Sequence, residues 1–338
     1  MTKPGCELSV IIKTLNEGAN IARTLQHVLT AIEGLDAEVI VADSLSEDDT
    51  VSIALTFGVR VVQLLHARDR GCGVGAQLGY QFAAGRYLLV MDGDMDLQRA
   101  FVLAALARLH AQPRLAGVGG RIVDLNFDNI EYRARQARAP TDAMPGEVDR
   151  LNGGGMFRRE AIAQVGYLTN RNLHACEELE QGLRLQAAGW RMERLPLDSV
   201  LHHGHTAPMW SLMRRRWVTR YAWGAGEMLR ASLGQTWSSG AWRTQRHTLI
   251  VLAWWLTLLV LALLALAGGQ RWAGWAAVGT LLLPPVLMWR RRRSLPLALY
   301  SVASWCLDTA GMLCGLVARQ QEPTAAIEAR VLVHTAGH

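Results

Sequence analysis

The chain has 338 residues, half of them apolar and only 19% charged, with a formal net charge of +6 and a mean hydropathy of +0.11. That composition excludes a disordered chain and is high in apolar residues for a wholly soluble protein, and the length suits about two domains. The five Cys are scattered, without metal-ligand spacing or a disulfide framework, and read as reduced structural thiols. Lys occurs only at Lys3 and Lys13, so Arg carries the positive balance. All 12 Trp lie at or after Trp190 and all five Phe at or before Phe157, which suggests two halves facing two solvents.

The first half reads as alternating strand and helix. Leu8–Ile12 is a buried-strand run, too short for a secretory signal, and Asn16-Glu17-Gly18 ends it. Ile21, Leu25, Val28, Leu29 and Ile32 then recur at helical spacing. Glu38–Ala42 is a second strand, ending at Asp43, and Ser46 with Asp48 and Asp49 marks a helix start. Val59–Leu64 is a third strand. The Gly71–Gly75 stretch opens the next helix, and Arg86–Met91 is a fourth strand ending at Asp92-Gly93-Asp94. Strands separated by helices imply a mostly parallel α/β sheet, whose ligands sit beyond the C-terminal strand ends. Asn16, Glu17, Asp43, Asp92 and Asp94 all lie there.

The last third reads as membrane. Spans are expected at about 249–267, 272–289 and 295–318, the third interrupted only by Asp308. Residues 208–247, where Trp and Arg alternate, suit interfacial amphipathic helices. Placing Arg243, Arg246 and Arg290–Arg293 in the cytoplasm gives three spans, a cytoplasmic domain over 1–207, and a tail (319–338) on the far side. Because the Arg clusters border apolar runs, nucleic acid is not an expected partner.

Asp92-Gly93-Asp94, at the end of an apolar strand, suits a hard divalent cation that also holds phosphate oxygens. With its neighbours it resembles glycosyltransferase family 2, of GT-A fold (Rossmann-like, mostly parallel), over about residues 7–225. The family's Ser-Val-Ile-Ile-Pro strand followed by Asn-Glu appears as Ser9–Lys13 and Asn16-Glu17, with Lys13 in place of Pro. Its Val-Asp-x-x-Ser-x-Asp-x-Thr appears as Ala42–Thr50. Its Gly-Lys-Gly-Ala-Ala-x-Asn-x-Gly appears as Gly71–Gly79, with Cys72 and Gln77 departing. Its Gly-Gly-x-x-x-x-Arg-Arg segment resembles Asn152–Arg159, and its Glu-Asp-x-Asp-Leu-x-Leu-Arg-Leu resembles Glu177–Leu185.

The resemblance implies roles. Asn16, Glu17, Asp43, Gly71, Gly73, Arg70 and Asp92 would bind the donor, with Asp43 on the nucleotide base and Arg70 near the diphosphate. Asp94, with Asp92 and His202 or His203, would hold Mg²⁺ or Mn²⁺. Glu178 would be the general base, positioned by Glu177. Gly154, Gly155, Arg216 and Trp217 would shape the acceptor side, and Met213 in place of a Gln gives no support to processivity. Zn²⁺ at His202, His203 and His205 is not expected, since no further ligand has recognised spacing.

The function implied is inverting transfer of a sugar from a UDP- or GDP-linked donor to a hydroxyl of a lipid-linked or glycan acceptor. The setting implied is the plasma (inner) membrane, in cell-envelope polysaccharide synthesis. A polyprenyl-phosphate sugar synthase is the alternative; a nucleotidyltransferase and an inactive membrane scaffold are others. The stretch Asn126–Asp149 carries no motif and is read as a specificity loop.

Overall fold

The computed structural model describes residues 5–125, 144–204 and 209–332. Most of the specificity loop (126–143) and residues 205–208, including His205, lie outside the described residues. The chain divides into two units, residues up to 207 together with those from 320, and residues 208–319.

The first unit is built on β1 (Leu8–Thr14), α1 (Ile21–Ala31), β2 (Ala37–Asp43), α2 (Thr50–Thr56), β3 (Arg60–Leu64), α3 (Cys72–Phe82) and β4 (Tyr87–Asp92). Strand β1 lies parallel between β2 and β4, and β3 lies parallel to β2. Near-continuous apolar runs suit these strands because both faces are covered. Val10 and Ile12 face one core with Ile21, Leu25 and Val28 of α1, while Ile11 faces another with Ala76 and Leu88. Each such fully buried side chain contributes about 1.5–3 kcal/mol.

The chain continues through β5 (Met95–Leu97), α4 (Arg99–Ala111), β6 (Leu115–Asp124), β7 (Gly146–Val148), β8 (Gly155–Arg158), α5 (Arg159–Gln164), α6 (Glu177–Ala187) and β9 (Arg191–His202). This half makes the sheet mixed rather than mostly parallel. Strand β8 is antiparallel to β4 and β6, β5 and β7 are antiparallel to β9, and only β6 and β9 run parallel.

The second unit contains α7 (Met209–Val218), α8 (Gly224–Ala231), α9 (Ser238–Thr244), α10 (Arg246–Leu266), α11 (Arg271–Arg292) and α12 (Leu295–Val317). The last three, of 21, 22 and 23 residues, are long and apolar enough to cross a membrane. Helix α12 meets α8 and the turn before it through glycines. A Cβ on Gly226 would lie 1.9 Å from the Met312 carbonyl oxygen, and one on Gly315 would lie 2.2 Å from that of Trp223. Such small residues let helix backbones approach closely.

After α12 the chain returns to the first unit. Ile327 is buried, and β10 (Ala329–Leu332) pairs antiparallel with β3. Arg171 donates to the Ala325 carbonyl, and the Asn172 side-chain amide donates to that of Gln321. This corrects the expected far-side tail, because a strand hydrogen-bonded into a sheet shares that sheet's compartment.

Candidate active site

The parallel register sets Thr14 opposite Asp43 and Lys13 opposite Asp92, so the acidic strand ends converge at one sheet edge. Asn16, in the left-handed region (φ 60°), ties two loops together. Its N–H donates to Ser46 Oγ at 2.8 Å, and its Oδ1 accepts from the Glu47 N–H at 2.8 Å. The Glu17 N–H donates to Thr50 Oγ1 at 2.7 Å.

Four residues expected on the donor side already have protein partners or neighbours. Asp43 is fully buried, and both its oxygens are already bonded, to Thr14 and Ser46 on one side and to Ser46 N–H and Gln63 on the other. It fixes the loop after β2. Arg70 donates to the carbonyls of Ser44 and Leu45 and to Glu47, so it braces the same loop. Gly71 and Gly73 meet protein, not open space. A Cβ on Gly73 would lie 2.0 Å from the Asn170 carbonyl oxygen, and its N–H donates to that of Leu173 at 3.0 Å.

The Asp92-Gly93-Asp94 turn faces two ways. Gly93 is required because a Cβ there would lie 2.9 Å from both Glu17 Cγ and Thr14 Cγ2. On one side, Lys13 Nζ lies 2.9 Å from Asp92 Oδ1 and 4.0 Å from Glu177 Oε1. Burial alone would lower the Lys13 pKa, but Asp92, then Glu177 and Glu178, outweigh it and hold the ammonium charged. On the other side, Asp94 Oδ2 lies 3.3 Å from His202 Nε2, and His202 Nδ1 lies 2.7 Å from Asp124 Oδ1. His203 is turned elsewhere, with Nε2 2.8 Å from Asp96 Oδ2, while the other oxygen, Asp96 Oδ1, accepts from Arg23 Nε. The structure thus selects His202, and the expectation that His203 joins Asp94 is corrected. Consecutive strand residues point to opposite faces, a signal already present in the sequence.

Cys176, at φ 67°, turns the chain so that Glu177 and Glu178 open α6. Burial raises both pKa values, against the pull of Lys13. Glu178, further raised by Glu177, is pushed up to about 8. Lys13, Asn152, Phe157, Glu177, Glu178 and Gln181 line one small cavity. Glu180 is not on a solvated face. It is fully buried, accepts from Arg184 Nε at 2.8 Å and from the Tyr167 hydroxyl at 2.6 Å, and so pins α6 to the loop before it. The Gly154 N–H donates to the Val90 carbonyl at 2.7 Å, and Gly155 begins β8. Arg216 and Trp217 lie on α7 in the second unit, where Arg216 stacks over the Tyr221 ring at 5.6 Å.

The Asp94 side fits a divalent cation. It supplies a carboxylate oxygen and an imidazole nitrogen, and Asp124 orients the ring from behind, as second carboxylates do for ligating histidines. The place also favours positive charge. Burial would lower the His202 pKa, but Asp124 and Asp94 push it up to about 9. Among the described residues, no three His, Cys, Asp or Glu side chains form a complete metal cage. Phosphate oxygens would therefore supply further ligands.

Sheet order, acidic turn and acid-bearing helix together define a GT-A fold. The chain superposes on a mannosyltransferase from Pyrobaculum calidifontis, solved with GDP-Man and Mn²⁺, with a TM-score of 0.59 at 17% identity, covering 92% of this chain and 87% of that one. Residues 9–166 match the model of glycosyl transferase family 2, so the chain carries a glycosyl transferase family 2 domain. Glycosyltransferase AglD of Haloferax volcanii is 27% identical over 213 residues, 58% of this chain and 34% of that protein. The dolichyl-phosphate beta-glucosyltransferase of Drosophila melanogaster is 36% identical over 105 residues, 27% of this chain and 32% of that protein. The chain spans about a third of the length of these two relatives.

Proposed function

We propose that this chain is an inverting glycosyltransferase that moves a sugar from a nucleotide-sugar donor to a hydroxyl of a membrane-associated acceptor. One observation carries the reading: the turn at the C-terminal edge of a family 2 sheet separates a cation-favouring carboxylate, Asp94, from a partly buried acid pair, Glu177 and Glu178. Asp94 and His202 would hold Mg²⁺ or Mn²⁺, which when bound supplies charge neutralisation for the leaving nucleoside diphosphate. The Pyrobaculum neighbour, solved with GDP-Man and Mn²⁺, supports such a donor and cation.

Glu178 takes the proton of the acceptor hydroxyl. A carboxyl that titrates near 8 suits a base working close to neutral pH. The acceptor oxygen forms its bond to the anomeric carbon opposite the diphosphate, and the breaking bond's electron pair leaves with the diphosphate, which inverts the configuration. Asp92, tethered by Lys13, faces the donor side. Helices α10 to α12, long and apolar enough to cross a membrane, support a membrane setting, which we read as the plasma membrane with the first unit in the cytoplasm.

The relative that acts on dolichyl phosphate favours a second reading, a polyprenyl-phosphate acceptor, already an anion and needing no base. The test is a screen of UDP- and GDP-sugars by released nucleoside diphosphate, with Mn²⁺, against a glycan or glycolipid hydroxyl and against polyprenyl phosphate. Turnover with hydroxyl acceptors that is lost in Glu178→Gln supports the first reading. Turnover with polyprenyl phosphate that survives Glu178→Gln supports the second. Absence of all donor turnover in the wild type overturns both in favour of an inactive scaffold.

A further inference from the structure

Three residues of this chain meet at one point: Lys13 on β1 and Cys72 and Gly75 on α3. The Lys13 ammonium reaches from β1 to Asp92 at 2.9 Å and to Glu177 at 4.0 Å, joining the acidic turn to the start of α6. Its aliphatic stem lies along α3 only because Gly75 has no side chain; a Cβ there would lie 3.2 Å from Lys13 Cγ and 3.3 Å from Lys13 Cβ. Cys72, at the first position of α3, shares the same field. Burial raises its thiol pKa, Glu177 raises it further, and Lys13 opposes both. Asp92 and Glu177 both face this one cation, and like charges brought together in a partly desolvated place need such a countercharge. In a chain with only two lysines, this place keeps one. A compact ammonium fits here, where a planar guanidinium would need more room.

We propose that Lys13 is a positioning residue, accommodated by Gly75, which holds Asp92 and Glu177 at a working separation. The inference rests on the transferase reading for its kinetic consequence, but not for the linkage itself. A lysine placed at position 72, at the start of α3, then takes over part of the role.

The test compares full-length wild type, Lys13→Met, Lys13→Arg, Gly75→Ala and the double variant Lys13→Met/Cys72→Lys, each purified in detergent. Turnover is followed by released nucleoside diphosphate with Mn²⁺, and unfolding by Tm. Lys13→Met is expected to lower kcat by roughly 100-fold, as small misplacements at an active site do, with the donor KM within about threefold. The double variant is expected to regain at least about tenfold in kcat, and Lys13→Arg to regain less. Recovery from a different strand and helix is a result that a merely structural lysine would not give.

A folded Lys13→Met within about threefold of the wild-type kcat, or a folded double variant with no recovery, overturns the proposal. Where Lys13→Met does not fold, Gly75→Ala decides, since it keeps the charge and displaces the stem: a fall in kcat supports the proposal and wild-type kcat overturns it. A wild type without donor turnover overturns the transferase reading alone. The linkage is then judged on Tm: a fall of roughly 5 °C or more in Lys13→Met that Cys72→Lys reverses supports it, and an unchanged Tm overturns it.

Discussion

The two faces of the Asp92-Gly93-Asp94 turn are built from the same residue type and wired differently. Asp92 faces an ammonium that belongs to the chain, 2.9 Å away. Asp94 faces an imidazole, 3.3 Å away and steadied by Asp124, whose charge an incoming cation can replace. The difference separates a fixed countercharge, which organises acids, from an exchangeable one, which suits a group that arrives and leaves with the donor. Each face can be broken independently.

The largest effect is expected on the exchangeable side, where Asp94→Ala should lower Mn²⁺-dependent release of nucleoside diphosphate by roughly 10³-fold. On the acid-pair side, Glu178→Gln should lower transfer to a hydroxyl by about 10²–10³-fold while calorimetry finds donor binding unchanged. Asp124→Asn, which loosens His202 without touching the acid pair, should weaken Mn²⁺ affinity by about 10–100-fold. The pH profile reads the acid pair directly. Glu178, with its pKa raised to about 8, is protonated below that value and cannot accept the hydroxyl proton. Activity should therefore climb as pH rises through about 8 and then level off, and a profile already flat from pH 6 to 9 would contradict the assignment. The smallest catalytic effect belongs to Asp43→Asn. It should cost about 1–3 kcal/mol of stability, through donors left without an acceptor, yet leave the donor KM within about threefold.

How much of this was legible in the sequence depended on the distance over which each signal acts. Strands β1 to β4 were legible because each is a local apolar run, and the observed limits differ from the expected ones by a residue or two. The convergence of Asn16, Asp43 and Asp92 followed from their places at strand ends. What a carboxylate bonds was not legible. Asp43 has the spacing of a ligand-binding acid, but its partners include Gln63, which only the fold brings to it. Lys13 was visible as a departure, while its meaning lay in Glu177 on a distant helix. The pairing of Glu180 with Arg184 was within reach, since residues four apart share a helix face, and only burial shows that it is internal. Strand β10 has four residues and no local signature, and its partner lies far back in the chain.

That last strand has a consequence in time. Arg330 bonds Gln63, 267 residues earlier in the chain, so the β3 edge is completed only after the three long apolar helices have been synthesised. At ordinary translation speeds the edge stays open for roughly 10–50 s. During that interval Val61, Val62 and Leu64 belong to an uncovered strand, the kind that recruits other chains. Delivery of the apolar helices to a bilayer and closure of the sheet thus become successive steps of one assembly line, and a delay in the first prolongs the hazard in the second.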